Sequence, residues 1–346
     1  MNVWTNVIAA LASFLISWLM GFVVIPWLHK LKYGQTILDI GPKWHAKKQG
    51  TATMGGIMFI TAVIITFAVG MVIIGINGAD ISGEDKREFT VSLSGAVMAV
   101  FFGAMGFLDD FIKVGKKRNE GLTPIQKIIF QVLIIAAYFA TIYISGFART
   151  VIAFPWGWQW DLGIFYYPVM GLGILYLVNA VNLTDGIDGL CSSVTVVYCA
   201  AFAAIAGILG MFGQSLLAFC TAGALIGFLV WNFPPAKVFM GDTGSMFLGG
   251  IVCALGVGCG AEFLMVLAGI IYVFEALSVI IQTTVFKITK KIYHTKEGKR
   301  VFKMTPIHHH FEMSGWSEIK IDVVFSIITV ITGALSVFFA VMMFTR

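Results

Sequence analysis

The sequence predicts an all-α polytopic membrane protein with about ten transmembrane helices, both termini outside and its polar chemistry gathered on the cytoplasmic face. Three observations predict it. The chain is 58% hydrophobic and only 12% charged, with a mean hydropathy of +0.90, whereas a soluble domain carries about 25% charged residues. Its apolar stretches recur at the roughly 20 residues that take a helix across a bilayer. Its basic residues fall almost entirely in alternate connections, as the positive-inside rule requires.

Taken in order, the predicted spans are 3–26, 53–76, 91–111, 125–146, 162–180, 190–209, 216–231, 244–258, 263–286 and 321–344. The first is too long for a signal-peptide core and is followed by basic residues rather than a small-residue cleavage site, so it reads as an uncleaved span. The seventh and eighth are short, and the eighth is rich in glycine. Ten spans return the C-terminus to the side of the N-terminus. Nineteen of the 23 lysines and arginines lie in the odd-numbered connections, leaving Lys86, Arg87, Arg149 and Arg346 for the other side. That bias puts the odd connections in the cytoplasm. Residues 1–346 read as one integral membrane domain. No basic stripe with interleaved aromatics is present, which speaks against a nucleic-acid partner. Cys191, Cys199, Cys220, Cys253 and Cys259 lie in or beside apolar runs without a CxxC pair, and read as packing residues.

The cytoplasmic connections also carry the polar clusters. The first holds His45, Lys48, Thr53 and the Gly55-Gly56 pair; the third span ends in Asp109-Asp110, with Lys113 following. The fifth connection is Asn182-Leu183-Thr184-Asp185-Gly186-Ile187-Asp188-Gly189, two acids, an amide and two glycines between apolar stretches, expensive unless the place is wet and used. The seventh runs from Asn232 through Phe239 to Gly241-Asp242-Thr243-Gly244-Ser245, and the last contains His308-His309-His310-Phe311-Glu312. Five clusters on one face point to one site.

Asp109, Asp110, Asp185, Asp188 and Asp242 repel one another unless a cation joins them, and hard oxygen ligands at a phosphate-handling site suit Mg2+. Lysines supply point charges for phosphate oxygens, and glycines let backbone N–H groups approach an anion. The combination suits phosphoryl transfer, which is mostly positioning and electrostatics. Blander readings stand beside this one. The Asp pair could be a solvated helix end, the stretch from Asn182 to Gly189 a turn, and Asp242 the N-cap of a helix as well as a ligand. Three consecutive histidines suggest zinc, but neighbours in sequence do not face one way on a helix; a loop whose imidazoles reach phosphate or nearby acids, or a purely structural loop, fits better. The basic runs 113–118 and 287–300 serve topology and headgroup contact. Glu275 lies inside the ninth span, where an acid is costly, with no partner evident.

Through Thr53-Met54-Gly55-Gly56, Asp109-Asp110, the Asn182 to Gly189 string, the Asn232 to Ser245 stretch and the histidine motif, the chain resembles the phospho-N-acetylmuramoyl-pentapeptide transferase (translocase I) family of the polyprenyl-phosphate N-acetylhexosamine-1-phosphate transferases. The likeness runs from the Lys48 region to Glu312, and the histidine string separates this family from relatives using N-acetylglucosamine. One departure is Ala52, where the family usually has proline.

The resemblance implies a multi-pass enzyme of the bacterial inner (cytoplasmic) membrane. It would move phospho-MurNAc-pentapeptide from UDP-MurNAc-pentapeptide to undecaprenyl phosphate, giving lipid I and UMP, with Mg2+ required. By position, Asp242 would hold the metal, and Asp109 and Asp110 would serve the lipid phosphate and the reacting centre. Asp185 and Asp188 with Asn179, Asn182 and Asn232 would shape the nucleotide pocket, Phe239 would stack on uracil, and Lys48, Thr53, Lys113, Lys127 and Gln282 would line it. His308, His309 and His310 would lie near the pyrophosphate or sugar. Two routes are open: direct attack by the lipid phosphate, which is already largely dianionic at neutral pH and is therefore favoured, or a phospho-aspartyl intermediate. Rival readings are a sister UDP-N-acetylglucosamine transferase and an ion-coupled transporter. The sequence does not fix the oligomer, and a homodimer is one assembly open to it.

Overall fold

A computed structural model describes residues 3–31, 48, 50–76, 84–115, 121–294 and 297–345. His45, Lys32, Lys43, Lys47, Lys116, Lys117, Arg118, Lys296 and Arg346 lie outside the described residues. Almost everything described is helix: α1 (Val3–Lys30), α2 (Gly56–Ile76), α3 (Glu84–Gly115), α4 (Pro124–Ile144), α5 (Tyr166–Thr184), α6 (Leu190–Ile208), α7 (Phe212–Asn232), α8 (Gly241–Gly258), α9 (Glu262–Ala268), α10 (Ile270–Ile292), α11 (Ile307–Glu312) and α12 (Glu318–Phe344). Ten of these are long and apolar enough to cross a membrane, and nine of them fall on the stretches expected.

The glycine-rich eighth stretch turns out to be the centre of the bundle. Every residue of α8 from Thr243 to Gly258 is buried, and its hydropathy, 1.2, is the lowest of the ten spans. Lipid does not need to solvate it; other helices do. A Cβ on Gly249 would lie 2.7 Å from the Val178 Cα in α5, and one on Gly250 would lie 2.6 Å from the Ala99 Cα in α3. Small residues are what permit backbones to come this close where lipid supplies no hydrophobic drive between helices. Around α8 stand α3, α5, α2 and α7, with α1 outside α7 and α12 against α6.

The expected ninth span, 263–286, needs correction. The chain breaks at Gly269, so that α9 is a separate short helix and the membrane-crossing helix is α10, which continues to Ile292. Lys287, Lys290 and Lys291 sit on its half-buried or exposed end, where long ammonium side chains reach away from the apolar layer. Other boundaries follow local chemistry. Helix α4 begins in a reciprocal capping box between Thr123 and Gln126 with Pro124 in its first turn, and the Ser317 side chain accepts the Lys320 N–H at the start of α12.

At one end of the bundle an antiparallel hairpin, β1 (Val151–Ala153) and β2 (Gln159–Asp161), pairs Val151 with Asp161. At the other end the motif-bearing connections meet. There Ala52 and Val238 form a parallel bridge, Phe239 donates its N–H to the Ala52 carbonyl (2.8 Å), and Gly55 donates to the Phe239 carbonyl (2.8 Å). The proline expected at position 52 would supply the same carbonyl, so the departure leaves this joint intact.

Candidate active site

Helix spacing begins the site. Asp109 and Lys113 are four apart on α3 and therefore share a face, with the Lys113 Nζ 2.6 Å from Asp109 Oδ2. Lys127, one turn into α4, reaches the same oxygen at 2.9 Å. Both ammonium groups also touch Asp242 Oδ2 at the start of α8, at 2.9 and 3.0 Å. Asp109 Oδ1 accepts the Leu122 N–H at 2.7 Å. The Asp pair is no solvated fray: α3 continues to Gly115, and Asp109 and Asp110 are 1% and 4% exposed.

Asp110 faces the other way. Its carboxylate accepts the N–H groups of Asp242 (3.2 Å) and Thr243 (2.9 Å) and the Thr243 hydroxyl (2.7 Å). It caps α8 from a different helix. The expectation that Asp242 is the N-cap is thereby corrected: Met240 holds that position, Asp242 lies in the first turn, and the capping carboxylate arrives from α3. This frees Asp242 to point at Lys113, Lys127 and Asn182, whose Nδ2 donates to Asp242 Oδ1 at 2.9 Å and to Ser245 Oγ at 2.7 Å. Close approach makes the junction possible. A Cβ on Gly106 would lie 2.1 Å from the Asp242 carbonyl oxygen, and Gly241, at φ +71°, packs between Asp110 and Thr53.

The string from Asn182 to Gly189 is a turn, and Asn182 joins it to the carboxylate cluster. It closes α5, with Asp185 as C-cap, and opens α6 with Gly189 at φ +81°. Burial, reinforced by the carboxylates of Asp242, Asp110 and Asp188, pushes the Asp185 carboxyl well above the usual aspartate range. Asp188 is buried, accepts the Ala236 N–H (2.9 Å) and pairs with Lys48 at 2.7 Å; Lys48 also reaches Glu318 at 2.6 Å. Asn232 knits two motifs together, accepting from Gly189 N–H (3.2 Å) and donating to the Val238 carbonyl (2.9 Å). Phe239 is half-buried, its backbone pinned as described.

The histidines sit on a helix, α11, rather than in a loop; the His308 and His309 rings touch, with centroids 4.1 Å apart, but each imidazole takes a different partner. His308 Nδ1 lies 3.0 Å from Glu275 Oε2 with both side chains fully buried; His309 Nδ1 meets Glu312 at 2.6 Å; His310 Nδ1 accepts the Lys303 N–H at 3.1 Å. Glu275 thus has its partner, and the three histidines form no metal-ligand cluster among the described residues. Two other expected residues bond to neighbours other than the carboxylates. Gln282 accepts the N–H groups of Val301 and Phe302, holding the last connection, and Asn179 pairs its amide with Gln131 (3.0 Å).

Beside the cluster opens a groove of about 1010 Å3 between α4, α5 and α10. Leu172, Leu175 and Ile280 line its apolar length, and Asp109, Lys113 and Lys127 stand in its wall. One oxygen from each of Asp109, Asp110 and Asp242 lies within 4.8 Å of the others. The donors are all carboxylate oxygens, the set a hard cation such as Mg2+ takes.

Sequence reasoning missed Glu318, Gln131, Thr243 and Ser245. Gln131 carried the same signal as Glu275, a polar side chain inside an apolar span. Glu318 stood at a span boundary, where a charge is ordinary.

A family model described as Glycosyl transferase family 4 matches residues 92–260. Proteins named phospho-N-acetylmuramoyl-pentapeptide-transferase are similar over nearly the whole chain. One from Clostridium perfringens is 46% identical over 326 residues, 94% of each chain. Others from Listeria welshimeri and Listeria innocua are 42% identical over 90% of this chain and 91% of theirs.

Proposed function

The chain belongs to the phospho-N-acetylmuramoyl-pentapeptide transferase family, and from that premise we propose that it transfers phospho-MurNAc-pentapeptide from UDP-MurNAc-pentapeptide to undecaprenyl phosphate, releasing UMP and lipid I, at the cytoplasmic face of a bacterial inner membrane. The observation that carries the reading is the juncture of an apolar groove with a cluster of three carboxylates and two lysines. A polyprenyl tail suits the groove, its phosphate suits Lys113 and Lys127, and the nucleotide comes from the side of Asp185, Asp188 and Lys48. The acids crowd one end of the bundle, whereas a coupled transporter gathers them near the midplane.

In the mechanism, a lipid phosphate oxygen attacks the phosphorus linked to the sugar. The bond from that phosphorus to the bridging oxygen of UMP breaks, and UMP leaves with the electron pair. Lys113 and Lys127, still held by Asp109, bind phosphate oxygens in place of Asp242. Asp109 orients both lysines, with its other oxygen fixed by Leu122. Asp110 sets the first turn of α8, and Asn182 aims Asp242. Asp109, Asp110 and Asp242 would hold Mg2+, which when bound supplies neutralising charge for the diphosphate. Nucleophile activation needs little: a phosphate monoester has its second pKa near about 6.

Purified protein in nanodiscs, given undecaprenyl phosphate and either UDP-MurNAc-pentapeptide or UDP-N-acetylglucosamine, tests this by UMP release. Release with the first donor, abolished by chelator and restored by Mg2+, is expected. Release with the second donor alone would assign the chain to the sister reaction, and a sugar phosphate trapped on Asp242 after UMP departs would replace direct attack with a covalent route.

A further inference from the structure

Glu275 is a carboxylate inside a membrane-crossing helix, completely buried, and the mechanism above does not use it. Its geometry is specific. Oε2 lies 3.0 Å from His308 Nδ1 and 3.5 Å from the His308 backbone N–H, so side chain and backbone of one residue converge on one oxygen. The far edge of the ring is equally constrained. His308 Nε2 is buried without a hydrogen-bond partner among the described residues, and a Cβ built on Gly186 would lie 2.2 Å from it. The imidazole is therefore wedged between a carboxylate in α10 and the backbone of the turn that carries Asp185 and Asp188.

Burying an ionisable group in this layer is costly unless it is partnered, and an apolar residue at 275 would leave Nδ1 unpaired, free to turn away. A second ring nitrogen held by a carboxylate is the usual device for fixing both the tautomer and the orientation of a working histidine. We propose that Glu275 is a positioning residue: it locks His308 so that the Nε2 edge props Gly186 and holds the Asp185–Asp188 turn in the register that receives the nucleotide donor. The assignment of that turn to the donor rests on the transferase reading; the lock itself does not.

The test uses the full-length protein in nanodiscs. Glu275→Ala is expected to raise the KM for UDP-MurNAc-pentapeptide about tenfold, equivalent to about 1.4 kcal/mol, with kcat changed less than about threefold. Glu275→Gln, whose amide oxygen still accepts from Nδ1–H, is expected to recover most of the loss. Gly186→Ala pushes the ring from the opposite side and should give the same KM phenotype, and because both variants act on one ring, the double variant should be no worse than the more severe single. With histidines labelled by 15N, His308 should show a protonated, hydrogen-bonded Nδ1 that Glu275→Ala abolishes. Additive KM effects, a fall in kcat without a KM change, or an unaltered Nδ1 signal would each overturn the proposal. Should Glu275→Ala fail to fold, Glu275→Gln and Gly186→Ala decide by the same readouts. Absence of UMP release from the wild-type protein would strike the transferase reading alone, since the Nδ1 signal still reports whether Glu275 holds His308.

Discussion

Replacing Asp110 separates structural from chemical work at the carboxylate cluster. Its carboxylate accepts two N–H groups and one hydroxyl at the start of α8, between 2.7 and 3.2 Å. Loss of a helix cap costs about 0.5–2 kcal/mol. Loss of a negative charge at a partly buried helix N-terminus costs up to about 2 kcal/mol. The two overlap, because the same bonds carry both, so Asp110→Ala should destabilise by about 2 kcal/mol. Asp110→Asn keeps one acceptor and should lose roughly half of that. For a chain of this size the Ala variant should then melt roughly 3 °C lower in detergent. Turnover should fall with it, because the first turn of α8 sets Asp242. Thermal unfolding without nucleotide, beside UMP release at a temperature where both proteins are folded, reads both quantities. Unchanged melting in both variants with turnover abolished would refute the cap and leave Asp110 a ligand only.

Three further outcomes are expected. Gly106→Ala places a Cβ 2.1 Å from the Asp242 carbonyl oxygen, so α3 and α8 must part at the cluster. A displacement near 1 Å can cost about 100-fold in rate, and steady-state kinetics with kcat retained would contradict it. Glu318→Gln removes one of the two carboxylates on Lys48, whose side chain is 22% exposed. A partly solvated pair is worth under about 1 kcal/mol, so the melting temperature should barely move while the donor KM rises by about threefold; an unchanged KM would release Lys48 from the donor side. On the opposite end of the bundle, burial raises the Glu262 carboxyl above its ordinary value of 4.5, with the Tyr166 hydroxyl pulling it down. The folded protein therefore keeps a proton that the unfolded chain has released, and this contribution to stability declines as pH rises from 4.5 through the folded value. Glu262→Gln should flatten that slope in pH-dependent unfolding, and an unchanged slope would locate it elsewhere.

The carboxylates were legible as a set because acids are rare in an apolar chain, and the covalent order of spans puts alternate connections on one face. Asp109 and Lys113 could be paired from spacing alone. What joins α3 to α4 and α8 could not be read so, because Lys127, Asp242 and Asp110 meet through packing distances set by Gly106, Gly241 and the small residues of α8. The same holds for Glu275. Its cost was visible in the sequence, but its partner lies 33 residues away on another helix, with nothing local to announce it. Asp242 illustrates the opposite failure: a Gly-Asp-Thr-Gly string reads locally as a self-capped helix, and a carboxylate from a distant helix took that role.

By itself the sequence determined that the chain spans a bilayer ten times and presents its acids together, because hydropathy, span length and charge bias are sums over residues that need no knowledge of neighbours. Only the tertiary structure decided which acid caps a helix, which meets the lysines beside the groove, and which histidine is buried against the turn. Those choices depend on contacts of a few ångströms between segments far apart along the chain, where one missing Cβ or one capping oxygen sets the orientation of everything around it.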